Sequence, residues 1–389
     1  RQLADEQLRL GRFAWSRSGQ YLFFEGLSQG VRNLWRVTVD APSQTWVAAD
    51  RLTTGAGPDG DLSVSPDGAS LMFAARSSRT RLWSYPFDST SSRVLGPGEP
   101  LTSGGASEQD AESPADGNKL VYSATRGGRQ EFWERTIPDG HERLLLSTTG
   151  WNLTRPRWSR DGLRLAYLRR RADGTGQSDY AVVVLPVGGQ ERLLTKPGQV
   201  DLVPTDWSAD GAWLLGTCRT GSPPRLGACV LPVSDGSVSA ASLRLVAADP
   251  AKNIFESRFS PDQRWISFIA VDRADARVSR VYVVPAAGGA WRAVTTGLWY
   301  DDKPHWSPDS RTLYFLSDRN GLFNLWARHF DPETGQALGE PFQVTSFASP
   351  RQTISNELAR TQIAVTPSHL VLPITESTAE LWMLEHVDR

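Results

Sequence analysis

Cysteine, methionine and histidine are scarce in this 389-residue chain, at two, two and five residues. Two cysteines exclude a fold that depends on a disulfide framework. Five scattered histidines leave little material for an imidazole metal centre. Neither sign of charge dominates: 42 basic and 43 acidic residues give a formal net charge of −1. No Lys/Arg cluster stands out, so nucleic acid is not an expected partner. The longest apolar stretches, such as 181–187, fall far short of the roughly 18 residues that cross a bilayer, so no membrane insertion by this chain is expected. No window sustains an apolar period of 3.6, which predicts few helices.

Tryptophan, by contrast, is abundant, with 15 residues, and its placement is periodic. A Trp/Phe-Ser-Pro-Asp-Gly-like element recurs around Ser16, Ser65, Ser113, Ser159, Ser208, Ser260, Ser307 and, in degraded form, Thr366. The spacing between repeats is about 46 to 59 residues. A period in this range marks a propeller, a solenoid or an array, because one such unit cannot bury its own apolar faces.

The stretch from Trp299 to Thr345 reads as one repeat. Pro308 presets φ for a turn and Asp309 suits its next position. Leu313-Tyr314-Phe315-Leu316 is an apolar strand, Asp318-Arg319-Asn320-Gly321 a second turn, Asn324-Leu325-Trp326-Ala327 a third strand and Pro341 to Thr345 a fourth. The same grammar places Trp35, Trp83, Trp133, Trp326 and Trp382 on third strands. We therefore expect an all-β chain forming a single β-propeller domain over 1–389, with four-stranded antiparallel blades. The expected blades lie near 11–55, 58–104, 108–148, 152–196, 201–247, 253–297, 300–346 and 359–389. The favoured count is eight, with residues 5–10 supplying the strand that closes the last blade; seven blades is the alternative. The chain begins with Arg1, and its methionines are Met72 and Met383, which leads us to expect a longer natural product with a signal, anchor or domain upstream.

These repeats resemble the TolB-like propeller family, whose units read roughly Pro-x-Trp-Ser-Pro-Asp-Gly, then an apolar strand, a Leu-Trp strand and an Arg-Leu-Thr strand. The run Trp299-Tyr300-Asp301-Asp302-Lys303-Pro304-His305-Trp306-Ser307-Pro308-Asp309, with Phe330 to Gly335 and Leu372 to Ser377, is similar to a narrower group. That group is the C-terminal propeller of bacterial eukaryotic-like Ser/Thr protein kinases, found also behind winged-helix domains of one-component regulators. The resemblance implies a sensory or protein-interaction module, set after a transmembrane helix and so on the extracytoplasmic side of a membrane-anchored protein.

For catalysis, no Gly-x-Ser-x-Gly nucleophile elbow and no His-Glu-x-x-His is read from the chain. A non-enzyme without cofactor is the expectation, with Ca²⁺ at carboxylates the one ion kept open. Loops between fourth and first strands and between second and third strands converge on a propeller's channel. They nominate Trp151, Arg155, Asp201, Glu256, Tyr300, Asp301, Asp302, Lys303 and His305 as a polar, partly aromatic site for a protein, peptide or small ligand. Asp110, Glu112, Arg157, Asp206 and Arg258 stand on the same connections. A solvated rim of local salt bridges is the competing reading. Cys218 ends a second strand and Cys229 fills the third-strand Trp slot of the same repeat; they either bond across the hairpin or pack as small hydrophobes. The functional alternatives are a lyase- or glycosidase-type propeller enzyme and a free-standing assembly scaffold. The isolated domain is expected to be monomeric.

Overall fold

The computed structural model describes residues 9–28, 31–40, 42–43, 45–55, 58–102, 108–137, 139–171, 180–195, 201–222, 224–233 and 238–388. Among them the only helical element is a 3-10 turn, Ala240–Ser242; every other element is a strand. The expected propeller architecture is borne out. Six sheets have four strands, each taken in order from one repeat, and a seventh sheet combines the second and eighth repeats. Because two repeats share the long-stranded sheet, the eight repeats fall into seven hydrogen-bonded sheets, roughly the expected blade count.

The repeated motif is a turn that satisfies its own polar groups. Ser159 Oγ donates to Asp161 Oδ1 at 2.5 Å, Asp161 Oδ1 also accepts the Leu163 N–H, and Ser159 Oγ accepts the Arg164 N–H. Gly162 takes φ 67°, which a side chain would oppose. The same pattern recurs at Ser208, Ser260 and Ser307. The motif is therefore scaffold chemistry in these repeats.

Two repeats depart from the expected hairpins. Ser70–Asp88 is one 19-residue strand and His369–Glu385 one 17-residue strand. The segments expected to turn, 76–79 and 376–379, read Arg-Ser-Ser-Arg and Glu-Ser-Thr-Ala. Neither holds the Gly, Asn or Asp that a tight hairpin needs for φ > 0, whereas the corresponding turns elsewhere have Gly128, Gly221 and Gly321 at φ 75° to 85°. The two long strands run through and pair with each other. Phe87 N–H donates to Ser368 O at 2.9 Å, Thr80 and Thr375 hydroxyls meet at 2.8 Å, and Arg79 reaches Glu376 at 3.5 Å. Contacts that descend in one strand as they rise in the other make the pairing antiparallel.

This pairing replaces the closure expected from residues 5–10. Arg9 and Leu10 pair instead with Leu27 and Gly26 in their own repeat; residues 5–8 lie outside the described residues. The chain, read from sequence as one domain, divides into two compact units, Arg1–Arg79 with Glu376–Arg389 and Thr80–Thr375. The first holds the sheet from Arg9 to Arg51 and a second sheet from Asp59–Val64, 70–79 and 376–385, around Phe23, Leu34, Leu71, Phe73 and Val387.

In the second unit, residues 80–101 and 364–375 make one sheet and the next five repeats make one each. Six apolar clusters join these six sheets pairwise. Leu82 and Val371 pack against Leu120 and Tyr122; Val121 and Phe132 against Leu165 and Tyr167; Val182 and Leu194 against Leu202 and Leu214; Val230 against Ile266 and Phe268; Val283 and Trp265 against Leu313 and Phe330. The sixth cluster, Tyr314 and Leu316 against Leu370, Leu372 and Phe87, returns to the starting sheet and closes the ring. The cysteines settle their two readings: Cys218 and Cys229 are bonded, with Cα atoms 5.8 Å apart, inside the core between adjacent sheets.

Candidate functional site

Five of the six inner strands of the ring carry one extra residue. Register shifts interrupt Glu108–Glu112, Trp151–Trp158, Leu202–Trp207, Lys252–Phe259 and Asp301–Trp306. At four of these bulges a residue other than glycine sits in the left-handed region: Asp110 (φ 56°), Arg155 (58°), Glu256 (52°) and Lys303 (52°). Such a conformation costs on the order of 1 kcal/mol or more, and a bulge re-aims a side chain. All four are charged.

The side chains of Arg155, Glu256 and Lys303 meet across the ring, and Asp110 accepts the Arg155 backbone N–H at 3.4 Å. Glu256 Oε1 accepts from Lys303 Nζ at 2.7 Å and from the Arg155 guanidinium at 2.9 Å, and Glu256 Oε2 accepts from Gln362 Nε2 at 3.0 Å. Toward the motif turns, Arg258 grips Glu112 with two parallel bonds of 3.0 and 3.1 Å, and Arg157 adds a contact of 3.6 Å to the same carboxylate. Arg157 is wholly buried and donates to Thr205 O and Pro156 O. The indoles of Trp207 and Trp306 donate to the carbonyls of Arg157 and Arg258, so these two aromatics tie their inner strands to the neighbouring ones.

Burial sets the charge states. Glu256 is desolvated, yet Lys303 and Arg155 hold it well below the usual carboxylate range. Arg258 is also desolvated, and Glu112 more than restores its charge. Asp206 is pushed up to about 6 by burial, although Arg258 and the backbone N–H groups of Trp207 and Phe259 favour its ionised form. Asp302 rises to about 6 through burial, against the pull of Lys303. His305 falls well below its ordinary value through burial and the nearby Arg258, so it is neutral; its Nδ1 lies 3.1 Å from Lys303 O.

Of the nominated residues, Arg155, Glu256, Asp302 and Lys303 come together in this axial network, and His305 lines a cavity of about 140 Å³ beside Glu112, Asp206 and Arg258 at the motif end. The rest lie outside this network. Asp301 is buried on Arg319 at 3.0 Å, Asp201 pairs with Arg219 at 2.8 Å, Tyr300 stacks edge-on against Phe323, and Trp151 lies under Arg169. Glu112, Arg157 and Arg258 prove central. A signal was available: Arg157, Arg258 and His305 each immediately precede the repeated aromatic. Gln362 follows a segment without that motif and carried no signal.

The sequence does contain one Gly-x-Ser-x-Gly match, Gly26-Leu27-Ser28-Gln29-Gly30, which the sequence reading overlooked. It joins the strands Tyr21–Ser28 and Val31–Asp40. A nucleophile elbow is followed by a helix, whereas a strand follows this match. Among the described residues no three His, Cys, Asp or Glu side chains form a metal-binding group. No helix among them is long and apolar enough to cross a membrane.

No protein-family model matches the chain. Among solved structures it is similar to a protein assigned as TolB from Agrobacterium tumefaciens, at TM-score 0.54 and 15% identity over 76% of this chain and 99% of that one. It is also similar to TolB from Acinetobacter baumannii, at TM-score 0.52 and 12% identity over 96% of this chain and 81% of that one. At these identities the likeness is one of fold, and the fold is a TolB-like β-propeller.

Proposed function

We propose that the protein is a non-enzymatic interaction propeller that binds a ligand or partner on the loop face around the axis of its second unit, as the sensor module of a larger bacterial signalling protein. The observation that carries the reading is the neutralisation of the axis. Glu112 and Glu256, the carboxylates a channel-mouth lyase or glycosidase would use, are each held by two cations. An acid or nucleophile gripped in this way is not free to exchange protons with a substrate. The loop face, by contrast, offers open aromatic surface, including Trp299, 45% exposed. The likeness to TolB propellers supports an interaction role, and the resemblance of the 299–309 run to kinase-linked propellers supports the sensor assignment.

The reading is tested by placing a photo-crosslinking amino acid at Trp299 on the loop face, and at Leu163, exposed behind a motif turn, as the opposite-face control. In the native host, a discrete adduct from position 299 and none from 163 is expected. Equal labelling from both positions, or none from either, overturns the loop-face assignment.

A further inference from the structure

The loop face also holds a cavity of about 580 Å³, on the order of a small-molecule site. Four arginines line it: Arg155, Arg170, Arg219 and Arg360. The carboxylate in its wall is Asp110, 4% exposed. Arg155 is held by Glu256 and by Ala359 O, at 2.9 and 2.6 Å, and Arg219 by Asp201. Arg170 and Arg360 are exposed, and among the described residues neither side chain has a hydrogen bond or ion pair.

Local structure explains why Arg170 is there. It belongs to the run Arg169-Arg170-Arg171 at the end of the strand Arg164–Arg171, and alternate residues of a strand point to opposite faces. Arg169 and Arg171 both lie over the Trp151 ring, at 4.5 and 5.8 Å, which sends Arg170 to the cavity side. Arg155 is fixed by its bulge and its two partners before any ligand arrives, so little ordering remains to be done on binding. A guanidinium is a planar fork that matches carboxylate and phosphate oxygens, and among the described residues lining the cavity four arginines face one carboxylate, Asp110.

We infer that this cavity is an anion site for a small molecule carrying two or more carboxylate or phosphate groups, clamped between Arg170 and Arg360 and seated against Arg155. The inference deepens the loop-face reading and rests on it. The test is calorimetric titration of the full chain at low ionic strength with citrate and, separately, with pyrophosphate, on the wild type and on R170Q/R360Q. Both substituted side chains are exposed, so the variant's melting temperature should match the wild type. Binding of at least one anion that weakens tenfold or more in the variant, and that weakens with added salt, supports the site. Preference for citrate or for pyrophosphate then identifies carboxylate or phosphate as its chemistry. Equal affinity in the variant, or no heat from either anion at millimolar concentration, overturns it. Crosslinking from Trp299 reads a macromolecular partner and the titration reads a small anion, so either proposal can fail without the other.

Discussion

Asp206 illustrates what a charge costs on the ring axis. Burial opposes its ionisation and pushes the carboxyl up to about 6 in the folded protein, above the roughly 3.9 of a free Asp. Between those values the folded state binds more protons than the unfolded chain, so this residue's contribution to stability is complete below pH 4 and is lost as pH rises through 6. A two-unit shift corresponds to at most about 3 kcal/mol. Asp206→Asn removes the titration, and the melting temperature of the variant minus that of the wild type should therefore climb between pH 4 and pH 7. A difference that is flat or falls across this window contradicts the assignment. At this scale the sequence was partly legible. The sequence nominates charged residues at loop connections, of which Arg155, Glu256, Asp302 and Lys303 meet on the axis, but it does not distinguish Asp201, Tyr300 and Trp151 from Glu256 and Lys303. What separates them is the bulge, a backbone event with no residue signature, since Asp, Arg, Glu and Lys all occupy it. Gln362 joins from a segment where the motif has decayed.

At the scale of the element, turn chemistry decides topology. The motif turns, the Gly128 and Gly321 hairpins and the four-stranded order were legible because their Ser, Asp and Gly have local jobs. The two long strands were not, since period and composition looked like those of the other repeats and only a missing turn former distinguished them. Replacing Ser77-Ser78 by Asn-Gly would supply that turn former within a continuous strand. The gain in hairpin propensity competes with the pairing to 376–385, and glycine within a strand weakens it. We expect S77N/S78G to destabilise the protein by roughly 1 to 2 kcal/mol, measured as a lower midpoint in urea. An unchanged or higher midpoint would mean that the straight strand is not what the native state relies on.

At the scale of the molecule, the ring from Thr80 to Thr375 contains all six of its intersheet clusters and both strands that close it. Residues 80–375 expressed alone should fold, with a β-sheet circular dichroism spectrum and a single cooperative thermal transition. A broad, non-cooperative melt would show that the ring needs the first unit. Repetition in the sequence announced the sheets but not this partition, because the repeats inside and outside the ring share one motif and the break falls within two strands rather than at a linker.

The pairing of 80–88 with 369–375 also sets a timetable for synthesis. Roughly 280 residues separate the two partners, and at about 5 to 20 residues per second a ribosome needs on the order of 15 to 60 s to deliver the second after the first. Throughout that interval the earlier strand can pair with residues 93–100 on one edge only, its other edge unsatisfied, while the intervening sheets can already assemble on one another. The ring is thus finished by nearly its last residues, and a nascent chain stalled before position 369 would present an unclaimed edge to whatever strand or chaperone reached it first.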